Sequence, residues 1–211
     1  MSISGLFLVI FLLFHMVMNL AAVFSTRAYD MICEYLGANW YALVGTLILA
    51  LGFLVHIVYA FWLTLQNRRA RGTQRYAVTD QPGVSWASRN MLVLGIIVLL
   101  GLLLHLYNFW YRMQWAEIVG DPHAIIQGSV LLEELFANPL YCIVYLVWFA
   151  AIWFHLTHGF WSAFQTVGWT NKIWLARLQR LSYVFATLIF VGFAAVVVWF
   201  YVLSLCQGAC A

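Results

Sequence analysis

The chain has 211 residues, of which 65% are hydrophobic and only 8% charged, against roughly a quarter charged in an ordinary soluble domain. That balance excludes a water-soluble globule, and with only 3 prolines it excludes collagen-like and low-complexity chains as well. What remains is an integral membrane protein, whose 10 Lys and Arg and 7 Asp and Glu leave a formal net charge of +3.

Those few charges cut the chain into five charge-free runs, 1–26, 35–67, 90–111, 135–171 and 181–211. About 20 apolar residues make a helix that crosses a hydrocarbon core of about 30 Å, so each run is long enough. The expected fold is all-α, with five transmembrane helices in a single domain over residues 1–211. A β-barrel would need alternating segments of about ten residues, and Val93–Leu106 and Phe190–Leu203 do not alternate.

In chain order, span I is expected over Gly5–Ser25 and contains His15. No Lys or Arg precedes it and no A-x-A site follows Leu20, so it reads as a retained helix rather than a signal peptide. A short link then carries Arg27, Asp30, Cys33 and Glu34. Span II (Asn39–Gln66) holds His56 and runs into the basic tail Arg68, Arg69 and Arg71. Span III (Asn90–Tyr111) follows Trp86, Ser88 and Arg89 and holds His105. Span IV (Pro139–Gln165) contains His155 and His158, and span V (Ser182–Cys206) is uniformly apolar.

Short cytoplasmic loops retain Lys and Arg. With the N-terminus inside, the inner loops carry Arg68, Arg69, Arg71, Arg75, Arg89, Lys172, Arg177 and Arg180 against one acid, Asp80. The outer segments have only Arg27 and Arg112, with Asp30, Glu34, Glu117, Asp121, Glu133 and Glu134. The expected orientation therefore places the N-terminus in the cytoplasm. Topology alone accounts for the basic inner face, so nucleic acid is not invoked. The inner loops are too short for a catalytic domain, and any soluble chemistry must belong to another subunit.

The four cysteines, Cys33, Cys142, Cys206 and Cys210, form no C-x-x-C or C-x-x-C-H motif. Covalent haem attachment and thiolate zinc or iron–sulfur sites are thus unsupported. Cys206 and Cys210 fall at the outer end of span V, either paired or as free thiols.

A lone membrane histidine is commonly structural, hydrogen-bonding across a helix interface. Four of them, one per span, are judged by depth. His56 lies 17 residues after Asn39 and His155 17 after Asn138, so both are about 25 Å from the outer boundary. His105 is 7 residues before Arg112 and His15 is 12 before Arg27, giving roughly 10 and 18 Å from the same side. In a sequentially wound bundle each pair falls on a diagonal. A flat macrocycle fits between two such imidazoles, which would supply both axial positions of an iron. Spans I to IV are thus expected to form a four-helix bundle around two stacked b haems. Zinc would want three or four close ligands, and a proton relay an intramembrane acid; the spans offer neither. His158, about 4.5 Å along the axis from His155, suits a propionate or carbonyl contact better than the iron. Trp86, Ser88, Arg89 and Lys172 are inner candidates for the anionic propionates, Arg27 and Arg112 outer ones. As positive-inside anchors the inner residues have an equally ordinary explanation. Gly52, Gly101 and Gly159 would admit a flat ring near a backbone, as would ordinary helix packing.

These motifs resemble the five-helix dihaem cytochrome b membrane-anchor subunit of succinate dehydrogenase and quinol:fumarate reductase. The resemblance rests on GLFLVIFLLFHMVMN, HIVYAFWLTLQNRRAR, SWASRNMLVL with LHLYNFWY, and NPLYCIVYLVWFAAIWFHLTHGFWSAFQTVGW, and covers nearly the whole chain. It implies His15 and His105 as axial ligands of the outer haem and His56 and His155 of the inner one. It further implies a flavoprotein subunit with FAD and an iron–sulfur subunit docked at the cytoplasmic face, where the dicarboxylate chemistry takes place. This chain would then pass electrons between the iron–sulfur subunit and menaquinone or another membrane quinone, in a bacterial cytoplasmic membrane, within a heterotrimer that can pair into dimers. Glu34 best fits the carboxylate that accepts quinol protons near the outer haem, with Glu117, Glu133 and Glu134 competing. One departure is Trp153, which stands where some members carry a buried glutamate. Two other readings compete: the haem subunit of a hydrogenase, formate dehydrogenase or nitrate reductase, and a haem-free transporter gated by histidine.

Overall fold

A computed structural model describes residues 1–37, 39–72, 85–169 and 171–209, all-helical apart from turns. Arg75, Asp80 and Cys210, which entered the reckoning of loop charge and of a disulfide, lie outside these residues. The helices are α1 (Ser2–Phe24), α2 (Thr26–Tyr35), α3 (Trp40–Arg71), α4 (Trp86–Arg89), α5 (Met91–His105), α6 (Ala116–Ile118), α7 (Gly128–Phe136), α8 (Pro139–Val167) and α9 (Lys172–Ala209). Between α5 and α6 the helix runs on without a break as a π-helical segment, Leu106–Trp115. Five stretches are long and apolar enough to cross a membrane: Ser2–Phe24, Trp40–Ala70, Met91–Ile118, Pro139–Val167 and Lys172–Gly208.

Local chemistry sets the helix ends. Ser25 turns extended (φ −160°, ψ 111°) and its hydroxyl accepts from Ala28 N at 3.2 Å, which stops α1 and caps α2. Asn138 Oδ1 accepts from Leu140 N at 2.9 Å, and Pro139 occupies the first turn of α8, where its missing N–H costs nothing. That helix stops at Gly168, whose φ of 87° is a left-handed cap that suits glycine. Asn171 Oδ1 caps α9 through Ile173 N and Trp174 N.

Sequence reading placed the spans but not their full extent. Span V starts ten residues earlier than expected, at Lys172, because the basic residues Lys172, Arg177 and Arg180 lie within the helix rather than in a loop. Span III reaches Ile118, since Arg112 is accommodated on the continuing helix and pairs with Glu134 at 2.7 Å. Short helices α2, α4 and α7 lie in segments read as links.

Helix α1 packs on α3 and α8, and α8 packs on α5. The four therefore wind in chain order, with α1 and α5 on one diagonal and α3 and α8 on the other. The side between α3 and α5 is the loosest. It is tied by Gln114, whose Oε1 accepts from Thr46 Oγ1 (3.0 Å) and Trp110 Nε1 (2.7 Å) while its Nε2 donates to the Gly37 carbonyl (3.1 Å). Helix α9 lies outside this square, against α8 and α1. Its buried residues Ser182, Ala186, Ile189, Phe193, Val196, Val197 and Phe200 recur at three- and four-residue intervals and so form one seam. Lipid tails are as apolar as these side chains, so burial alone does not hold α9 in place. Close approach and hydrogen bonds do: Ala186 and Ser182 are fully buried, Ser182 Oγ donates to the Thr157 carbonyl at 3.0 Å, and Met16 lies directly on Gly192.

One end of the molecule is basic, carrying Arg68, Arg69, Arg89, Lys172, Arg177 and Arg180, and the other is acidic. At the acidic end α2 and α7 form a cap. Asp30 fastens it by accepting from Ser129 N (2.8 Å) and Ser129 Oγ (2.7 Å).

A Cβ at position 192 would run into Met16 Sδ, whereas one at Gly45 meets nothing within 4 Å. Gly192→Val should therefore destabilise the protein by about 1–3 kcal/mol, and Gly45→Ala by less than about 0.5 kcal/mol. Thermal unfolding in detergent checks both, and equal midpoints would contradict this packing.

Candidate functional site

Each diagonal of the bundle is bridged by two imidazoles. The rings of His15 (α1) and His105 (α5) have centroids 5.8 Å apart with planes at 84°. Those of His56 (α3) and His155 (α8) are 6.4 Å apart at 67°. The helices in each pair are diagonal partners rather than packed neighbours, so these side chains span the centre where the backbones do not meet.

Two levels result. Ser4 Oγ lies 3.4 Å from His56 Nδ1, and Gly95 faces His155 Cε1. The second pair thus sits level with Ser4 on α1 and Gly95 on α5. His15 and His105 are 11 and 10 residues further along those helices, or about 15 Å nearer the acidic end. Neither Arg27 nor Arg112 marks a helix end: Arg27 belongs to α2, so α1 ends at Phe24, 9 residues past His15, and the third span runs past Arg112 to Ile118.

Aromatic rings surround the level nearer the acidic end. Phe11 stacks on His15 at 5.3 Å and Phe193 approaches it at 5.8 Å. Phe109 and Trp148 stand 5.0 and 5.7 Å from His105. Trp148 donates Nε1–H to the Val98 carbonyl at 3.0 Å and lies on Gly101, while Phe7 lies on Gly52. Neighbouring aromatic rings thus occupy the space that Gly52 and Gly101 leave. Gly159, by contrast, has nothing within 4 Å of its Cβ position.

Could these pairs hold an iron porphyrin? With metal–nitrogen bonds of about 2 Å, two imidazoles on opposite sides of one metal have ring centres roughly 6 Å apart, and both pairs have that spacing. Among the described residues His155 Nδ1 is buried without a hydrogen-bond partner, and a buried polar atom of this kind calls for a ligand or a donor–acceptor partner. Among the described residues no group of three or more His, Cys, Asp or Glu side chains comes together, so the donor set is two plus two. The residues present fit bis-imidazole ligation.

His158 belongs to neither pair. It stands one turn further along α8 with its ring 5.0 Å from Trp161, and its Nδ1 is likewise buried and unpartnered. Trp86 packs on Phe154, next to His155, at 5.2 Å, which brings α4, with Ser88 and Arg89, beside the lower half of α8. Lys172 is exposed at the start of α9. Trp153 turns away from the bundle centre and donates to Thr187 Oγ1 on α9 at 3.0 Å. At the acidic end Glu34 is exposed and lines a hollow of about 330 Å³ with Thr26, Arg27, Asp30, Met31, Ile126 and Gln127. Glu117 lies instead against Gly37, and Glu133 borders a second hollow beside Phe200 and Ser204.

Sequence reasoning passed over the intramembrane amides. Besides Gln114, Asn108 is buried on the π-helical segment and donates to the Tyr145 hydroxyl at 3.1 Å, and Tyr145 stands 6.4 Å from His105. Asn19 bonds back to His15. The signal was legible for Asn19 and Asn108, amides inside otherwise apolar runs, since a polar group at such a depth requires a partner; Gln114 lies beyond Arg112 and gave none.

No protein-family model, curated protein or solved structure matches the chain.

Outside the spans, burial, with the nearby Asp30 charge, pushes the Cys33 thiol up to about 11, against the lowering effect of its hydrogen bonds to Tyr29 and Gly128. Only the thiolate reacts with alkylating reagents. Cys33 should thus resist iodoacetamide at pH 8 and label about tenfold faster per unit of pH up to about 11. Mass spectrometry after timed labelling checks this, and a rate that does not change between pH 8 and 10 would refute it.

Proposed function

We propose that this multi-pass helical protein is a dihaem cytochrome b subunit that carries electrons across a membrane. One observation carries the reading: two imidazole pairs, each at the spacing of a single shared metal ion, lie on crossed diagonals in two levels about 15 Å apart along the bundle axis. His15 and His105 would hold the haem nearer the acidic end, and His56 and His155 the haem nearer the basic end. When bound, the two haems supply one-electron carriers spaced along the membrane normal. What this chain contributes is ligation, an aromatic shell that excludes water, and the fixed distance between the levels.

The resemblance to the membrane anchor of succinate dehydrogenase and quinol:fumarate reductase supplies the rest of the proposal. The basic end is then cytoplasmic and docks the iron–sulfur subunit, which in turn holds the flavoprotein with its FAD. Arg68, Arg69, Arg177 and Arg180 suit that surface because short inner loops retain such residues and because an acidic partner would meet them. Trp86, Ser88, Arg89 and Lys172 cluster at the same end as the haem of His56 and His155, where they would anchor its propionates, and His158 stands one turn from His155 as a further hydrogen-bonding group. Quinone is exchanged at the acidic end. There Glu34 opens on the hollow beside Arg27 and Asp30 and is the candidate proton acceptor. Dicarboxylate chemistry is left to the partner subunits.

Reduced-minus-oxidised absorption of the purified protein should show two low-spin b haems per chain. His56→Ala or His155→Ala should remove one haem and spare the other, and His15→Ala or His105→Ala should do the reverse. A chain that binds no haem when gently purified overturns the proposal in favour of a transporter. Co-purification with a hydrogenase, formate dehydrogenase or nitrate reductase subunit would keep the haems and change the complex.

A further inference from the structure

Asn19 lies one helical turn beyond His15 and is engaged on two sides. Its Nδ2 donates to the His15 carbonyl at 2.8 Å and stands 3.5 Å from both ring nitrogens of the same residue. Its Oδ1 accepts from the Tyr29 hydroxyl at 3.2 Å. The amide has no freedom to flip. A carbonyl only accepts, so the NH₂ must face His15, the oxygen must face Tyr29, and the phenol must donate.

Tyr29 comes from α2, outside the span, and is 7% exposed. Burial holds its hydroxyl well above the usual phenol range, so it remains a donor at any physiological pH. The helix that carries it is itself fastened, one residue on, by the double bond of Asp30 to Ser129. A rigid outer element thus reaches through one asparagine to the bundle's first imidazole. Among the described residues His56 has the long Ser4 contact as its hydrogen-bonding partner, and His155 Nδ1 has none.

We infer that Asn19, locked by Tyr29, is a positioning residue that fixes the ring plane of His15 and sets the electronic character of the haem nearer the acidic end. This inference rests on the haem reading above. The positive end of the amide dipole beside the imidazole draws electron density from it, making it a weaker donor to the iron. Such partners of a metal-bound histidine tune both orientation and potential. With Asn19 in place, that haem is easier to reduce than it would be without the amide, and its ligand planes stay near the perpendicular arrangement of His15 and His105.

The test uses the whole protein with its haems, comparing wild type with Asn19→Leu and Tyr29→Phe. Low-spin ferric EPR signals report the angle between axial imidazole planes, and a redox titration reports the two midpoints. The signal nearer the acidic end is identified as the one lost in His105→Ala. In Asn19→Leu that signal should shift and its midpoint should fall, with the other haem unchanged. Tyr29→Phe, which removes only a hydroxyl, should produce a smaller shift in the same direction. Two haems with identical signals and midpoints in wild type and Tyr29→Phe overturn the inference and leave the haem reading intact. So does loss of haem in Asn19→Leu together with an unaltered Tyr29→Phe, since Asn19 would then serve folding alone. Absence of both haems from the wild type overturns the haem reading itself, and this inference with it.

Discussion

Inside a bilayer a polar atom cannot fall back on water, so each one must find a partner in the protein or in something the protein holds. The architecture described here is organised by that constraint. Two imidazoles project from each diagonal into the centre of the bundle, and the helices that carry them do not pack on each other. Close helix packing would have filled the centre with small side chains. Here the centre is instead crossed by rings at two levels, with Phe7, Phe11, Phe53 and Trp148 between and around them.

The remaining helices make that arrangement rigid. Helix α9 adds a buried seam against α1 and α8, with Phe193 touching both His15 and Phe149 at its centre. Gln114 ties the loosest side of the square, from the π-helical segment to α3 and to the turn before it. A π-helical segment widens the turn and is commonly found beside functional sites. In this chain it begins immediately after His105 and directs Asn108 and Gln114 inward, so that both amides are satisfied. The cap of α2 and α7 then closes the acidic end and holds Tyr29 in reach of Asn19.

Much of this was legible in the residues, for particular reasons. The five spans follow from the charge-free runs, because a charge in hydrocarbon is costly enough to mark every boundary approximately. Basic residues at helix ends blur those marks: Lys172 and Arg112 sit on continuous helix, which made spans III and V look shorter than they are. The His15 level was misjudged for a related reason, since counting to Arg27 crossed the bend at Ser25. Links between spans carry weaker signals. Helix α7 looked like part of an acidic loop, yet Leu131, Leu132, Leu135 and Phe136 are buried beneath its exposed Glu133 and Glu134.

What the sequence determined by itself is the membrane class, the count of spans, the opposite charge of the two ends and the common level of His56 and His155, because length, charge and rise per residue are properties of one helix at a time. Tertiary structure alone decided which helices neighbour each other, which side of the square is loose, and how Asn19, Asn108 and Gln114 are satisfied. It also decided that Phe7 and Trp148 fill the places at Gly52 and Gly101. Those depend on the rotation of each helix about its own axis, which in a uniformly apolar span leaves no periodic trace, since every face is equally content in lipid.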